Sequence, residues 1–145
     1  QKVNAIYDSG NYGDVFEQYM VEAEKRIIIS SPSIEQDKID RFLYIIKSRQ
    51  EAGCKVTVIT ANPEMYSYNS AEYIYSMVMQ MNDVGINVIT KDEIDEHFAI
   101  IDEDLVWHGG MNLLGKEDVW DNLMMIKSAQ VAEELLELTL GNRED

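Results

Sequence analysis

His97 is one of two histidines in the chain, standing two residues after Asp95 and five before Asp102. An imidazole is the side chain best suited to trade protons near neutral pH, although a histidine taken alone reads as structural or surface. On a strand, residues i and i+2 share a face, so Asp95 and His97 are expected to point into one pocket together. Asp-x-His on a strand is also a possible metal pair, although that spacing is a weak signal. Downstream follow Gly109-Gly110-Met111-Asn112 and then Trp120-Asp121-Asn122. The glycine pair supplies backbone freedom, and the Asn112 amide is suited to bonding nearby backbone. His108, at the end of a strand, is read as structural or surface.

The elements that must position these residues alternate. Strands are predicted at 3–7, 26–30, 55–61, 86–90 and 122–127, and a hairpin over 96–101 and 104–108. Helices are predicted at 12–25, 36–52, 71–84 and 129–140 from apolar residues recurring at helical spacing. The run Ile27-Ile28-Ile29 marks a strand buried on both faces. Strand–helix alternation with short junctions predicts an α/β fold, a mixed, largely parallel sheet with helices on both faces. Tyr66, Tyr68, Tyr73, Tyr75, Met77 and Met79 mostly sit at helical spacing and are expected to face the core. Leu135, Leu136 and Leu138 of the last helix are expected to do so too, and Trp107 and Trp120 to pack in the core or at its rim.

Composition bounds what such a domain can do. At 145 residues, 46% hydrophobic and 27% charged, the chain fits one ordinary soluble domain. No apolar run is long enough to span a bilayer. A single cysteine, Cys54, favours a reducing, cytoplasmic setting and reads as a small buried residue. The net charge of −15 would repel a polyanion on average, so nucleic acid is expected to be held by other parts of a larger protein or not at all. The start on Gln1 and the end on Arg143-Glu144-Asp145 lead to the expectation that this single domain, 1–145, is cut from a longer polypeptide.

The stretch from Ile94 to Asn122 resembles the signature of the phospholipase D superfamily. That signature is His, any residue, Lys, four residues, Asp, six residues, Gly-Ser, any residue, Asn. Its spacing is kept throughout, and Asp102, Gly109 and Asn112 match in type. Asp95 stands where the His belongs, His97 where the Lys belongs and Gly110 where the Ser belongs. Asp121 falls where many members carry an acidic residue followed by Asn. The likeness extends to Arg26-Ile27-Ile28-Ile29-Ser30 with its turn and to the strand after Gly53. From His97 to Ser128 the chain is similar to phospholipase D-like modules appended to bacterial superfamily II DNA helicases.

The resemblance implies an active site at Asp95, His97, Asp102, Asn112 and Asp121, with phosphate held by His97, Gly109, Gly110 and Asn112. It implies no metal and no cofactor. In the family two signatures face one pocket, one His attacking phosphorus and the other protonating the leaving oxygen. A second copy of the domain, in a homodimer or a duplicated chain, is therefore the expected partner, with the helicase domains of a parent protein as the other and no membrane. The acidic member of the signature is expected to orient a histidine, which places all five site residues at one end of the sheet. With a carboxylate at the attacking position and an imidazole for the Lys, the family mechanism loses its nucleophile and its phosphate cation. Three readings follow. The leading one is a non-catalytic binding or assembly module of a helicase-related DNA-processing protein. The alternative is a divergent, metal-independent phosphodiesterase using His97. The third is a metal site built on Asp95, His97, Asp102 and Asp121.

Overall fold

The computed structural model describes residues 4–141. The chain runs β1 (Ala5–Asp8), α1 (Tyr12–Val21), β2 (Arg26–Ser30), α2 (Gln36–Glu51), β3 (Lys55–Ala61), a single 3-10 turn (Pro63–Met65), α3 (Tyr68–Asp83) and β4 (Asn87–Lys91). Then come β5 (Phe98–Ile101), β6 (Leu105–Gly109), β7 (Asn122–Lys127) and α4 (Ala129–Leu140). All seven strands form one sheet in the order β1-β7-β6-β5-β2-β3-β4. Val3, the expected start of the first strand, lies outside the described residues.

The sheet is mixed, and its balance tilts toward antiparallel pairing. Only β2-β3 and β3-β4 are parallel, because only these steps carry a helical crossover. The other four pairings are antiparallel, with β5-β6 a tight hairpin. Helices cover both faces. α1, α2 and α3 bury Phe16, Phe42, Met77 and their neighbours against Ile27, Ile29, Val58, Ala99 and Trp107. α4 lays Ala132 and Leu135 on the opposite face, against Ile28, Ile59, Phe98, Ile100 and Val106. The β-branched run Ile27-Ile28-Ile29 thus feeds both cores, as strands covered on two sides must.

Several expectations are corrected. α1 stops at Val21 instead of Lys25, and α3 begins three residues earlier than expected, at Tyr68. Met77 is buried and Tyr66 half-buried, but Tyr68, Tyr73, Tyr75 and Met79 are exposed. α3 carries two apolar stripes, and Ile74, Met77, Val78 and Met81 are the one that meets the sheet. Leu138 is likewise exposed, on the far side of α4 from Ala132 and Leu135. Trp107 is fully buried at the centre of an aromatic group with Tyr7, Phe16 and Tyr19, whereas Trp120 is 87% exposed on a loop.

Candidate functional site

Strand direction decides which signature residues can meet. β2 pairs Ser30 with Phe98, β5 pairs Phe98 with His108, and β6 pairs Gly109 with Leu123. The end of β2, the start of β5, the end of β6 and the start of β7 therefore lie at the same end of the sheet. His97, Gly109, Gly110 and Asp121 flank those termini, and the Gly109 N–H donates to the His97 carbonyl at 3.3 Å.

The loop after β2 completes the frame. The buried Ser30 hydroxyl donates to the Glu96 carbonyl at 2.6 Å, fixing the approach to β5. Ser31 donates its hydroxyl to the Ser33 carbonyl at 2.7 Å and accepts the Leu114 N–H at 3.1 Å. The Ser33 N–H donates to Asn112 Oδ1 at 3.2 Å. A backbone N–H can bond only the oxygen of an amide, so this contact sets the orientation of Asn112. Its Nδ2 donates to no protein group among the described residues, leaving two N–H donors for an anionic oxygen.

Two glycines are demanded by close approach, at backbone angles that other residues also adopt. A Cβ on Gly109 would stand 2.1 Å from the Asn122 carbonyl oxygen, and one on Gly110 would stand 2.9 Å from Asp121 Oδ1. The Asp121 carboxylate fills the space that a serine side chain would need at Gly110. The departure at Gly110 is thus in direct contact with the acidic residue that the signature shares.

Asp102 is a correction. It occupies the β5-β6 turn with a left-handed φ of 57°, at the opposite end of the sheet from His97. Five extended steps, over the four residues of β5, separate the two, a span of roughly 16 Å. Its carboxylate instead accepts the N–H groups of Glu24, Lys25 and Arg26 at 2.7–3.2 Å, and Arg26 Nε donates to its carbonyl at 2.7 Å. Asp102 organises the entry into β2 and orients no imidazole.

Asp95 is also placed differently. The ladder begins only at Phe98, so the segment carrying Asp95 and His97 lies outside the strand that was expected to align them. Asp95 is exposed and hydrogen-bonds to no group among the described residues. His97 is half-buried, with Nδ1 sealed from solvent and unpartnered. The carboxylate nearest to either imidazole belongs to Glu96, 4.0 Å from Nε2 of the half-exposed His108. His108 lies on the other face of the sheet, beside Met124, Ile126, Val131 and Leu135. No group of three or more His, Cys, Asp or Glu among the described residues is arranged to hold a metal ion, which separates Asp95, His97, Asp102 and Asp121 as a ligand set.

This frame of glycine pair, oriented amide and acidic residue at one sheet end can be set beside known proteins. The profile of the family described as "Cardiolipin synthase, PLD-like domain" matches residues 16–138. The chain belongs to the phospholipase D-like domain family. Among solved structures it is similar to Nuc from Salmonella typhimurium, a phospholipase D family member, with a TM-score of 0.71 at 14% identity over 93% of this chain and 90% of that one. NucT from Helicobacter pylori superposes with a TM-score of 0.66 at 18% identity over 94% of each chain. The archaeal chromatin protein TrmBL2 gives 0.69 at 14% identity, where this whole chain covers 51% of that one. At these identities the likeness establishes the phospholipase D-like fold. No curated protein matches in sequence. No helix among the described residues is long and apolar enough to cross a membrane.

Sequence reasoning missed the bonding roles of Ser30 at the end of β2 and of Ser31 and Ser33 after it, and a cluster joining Tyr12, Lys38 and Glu117. The Tyr12 hydroxyl donates to Glu117 Oε2 at 2.6 Å, and the Lys38 ammonium donates to the same oxygen. Burial, followed by the bond to Glu117, pushes the Tyr12 phenol up to about 12. The cluster ties the loop carrying Trp120 and Asp121 to α1 and α2. Nothing local in the sequence signals it, because Tyr12 and Glu117 are 105 residues apart.

Proposed function

We propose that this phospholipase D-like domain is a non-catalytic module that keeps the family's phosphate-facing frame for binding or assembly. The observation that carries this reading is the state of His97, whose imidazole donates to no carboxylate among the described residues, while Asp95 stands in the signature where the attacking His belongs. An imidazole attacks phosphorus well when a neighbour holds its tautomer and balances its charge. A carboxylate at the attacking position adds repulsion toward a phosphodiester. The oriented Asn112 amide, whose Nδ2 is left for a ligand, suits recognition of an anionic oxygen without turnover, while the Gly109 and Gly110 N–H groups are already donated to the His97 and Asn122 carbonyls.

The module serves a helicase-related DNA-processing protein and works with a second phospholipase D-like copy. The similarity of residues 97–128 to helicase-appended modules supports the first point. TrmBL2, a chromatin protein whose structure is titled for a mode of DNA binding, supports the use of this fold in DNA-associated proteins. A single signature, half of what the family pocket needs, supports the second.

The test is turnover of bis-(p-nitrophenyl) phosphate and single-stranded DNA by metal-free protein. No turnover is expected from the unmodified chain, and some is expected from Asp95→His with His97→Lys. A phospho-histidine trapped at residue 97, or slow metal-free cleavage abolished by His97→Ala in a folded protein, would establish the divergent phosphodiesterase instead. Cleavage that survives His97→Ala and disappears with chelator would establish the metal site.

A further inference from the structure

The outer flank of α3 has chemistry that the signature site does not use. Tyr73 and Gln80 face α2: the Tyr73 hydroxyl accepts the Gln36 N–H at 2.9 Å, and Gln80 exchanges hydrogen bonds with the Gln36 side chain. Tyr68, Tyr75 and Met79, at i, i+7 and i+11, share the opposite flank and are 76%, 58% and 46% exposed. α3 joins β3 to β4 and α2 joins β2 to β3 on the same face, so the flank turned away from α2 overhangs the outer edge of β4.

Among the described residues that edge is open. There β4 is the last strand of the sheet and pairs with β3 alone, in unbroken register from Asn87 to Lys91. Its outward N–H and C=O groups form a template for another strand. The usual protections are missing, since the strand has no proline and no bulge. Its one lysine, Lys91, turns its ammonium back onto the Thr139 carbonyl.

Charge identifies what fits. From Asn62 to Thr90 the chain contains no Lys or Arg, while Glu64, Glu72 and Asp83 supply carboxylates. The same edge of a second copy is a poor occupant, because its own residues 62–90 bring carboxylates and no Lys or Arg. We propose that the β4 edge and the overhanging flank of α3 form a strand-docking site for an extended, basic segment of another protein. Its backbone pairs with β4, its apolar side chains sit beneath Tyr68, Tyr75 and Met79, and its Lys or Arg side chains answer the surrounding carboxylates. This site is separate from the phosphate-facing end and stands whether or not that end is catalytic.

The probe is a short fluorescent peptide of alternating Val and Lys, N-methylated along one edge so that it cannot pair with itself. Saturable binding is expected, with amide hydrogen exchange slowed at residues 87–91. Tyr75→Lys with Met79→Lys, both on the surface, should weaken binding by roughly tenfold or more, and the milder Tyr68→Ser should weaken it in the same direction. A peptide methylated on both edges should not bind. The proposal is overturned by no saturable binding, by equal binding to the variants, by equal binding of the doubly methylated peptide, by protection elsewhere than β4, or by a chain dimer that occupies β4 and excludes the peptide.

Discussion

Asp102 shows how one carboxylate can serve a turn and a neighbouring strand together. It accepts three backbone N–H groups from Glu24, Lys25 and Arg26 while its own backbone sits at a φ of 57°. Asp102→Ala removes the acceptor and keeps the conformational demand, so we expect a loss of about 2–3 kcal/mol by urea unfolding, with Asn, which tolerates that φ, losing less. Gly110→Ser, which restores the family residue, is expected to destabilise by at most about 1 kcal/mol, because what its Cβ meets at 2.9 Å is the movable end of the Asp121 side chain. Adding Asp121→Ala should recover most of that loss, and a double-mutant cycle measures the coupling. The spacing and the departures at residues 95, 97 and 110 were readable in the sequence, but the role of Asp102 was misjudged. Counting an extended span from His97 to Asp102 would have separated them, since five residues on a strand cross most of a sheet.

At the scale of elements, Glu117 fastens the loop beside the candidate site to two helices at once. Burial works against its charge, but hydrogen bonds from Lys38 and Tyr12 outweigh that and hold its carboxyl below the usual range. A lowered carboxyl stabilises the fold above its ordinary value of 4.5 and loses that contribution as pH falls through the lowered value. Amide exchange in residues 116–121 is therefore expected to accelerate in acid below that range, and Glu117→Gln should show faster exchange already at neutral pH. Unchanged exchange in the variant would mean that the loop is held by other contacts. The strands and helices were mostly legible because each carries a strong period. No glycine follows α1 before the sheet begins, so its C-terminal end was overrun. On α3 the spacing marked two apolar stripes, and only the crossover geometry selects the one that is buried. Contacts between distant segments, such as Tyr12 with Glu117, have no periodic trace.

For the molecule as a whole, the decisive quantity is charge. Duplex DNA binding without sequence readout is driven by cations that displace condensed counterions from phosphate. This chain has 12 Lys and Arg against 27 Asp and Glu. Several of the cations are already engaged: Lys38 with Glu117, Arg41 with Glu17, Lys25 with Glu103 and Arg26 with Glu133. At the signature end, Asp92, Glu93, Asp95, Glu96, Asp118 and Asp121 outnumber Lys116 and Lys91, the latter with its ammonium turned onto α4. A phosphate brought to Asn112 would cross that field, and each added phosphate of a polymer would cross it again. The charge of the domain therefore suits it to at most one or a few phosphates. By fluorescence anisotropy, duplex DNA is expected to bind more weakly than roughly 10⁻⁴ M at physiological salt. Lowering the salt should give little gain, because few counterions are released and longer-range repulsion from the carboxylates grows as screening falls. Sub-micromolar, salt-sensitive binding would overturn this and require a cationic track that the net charge conceals.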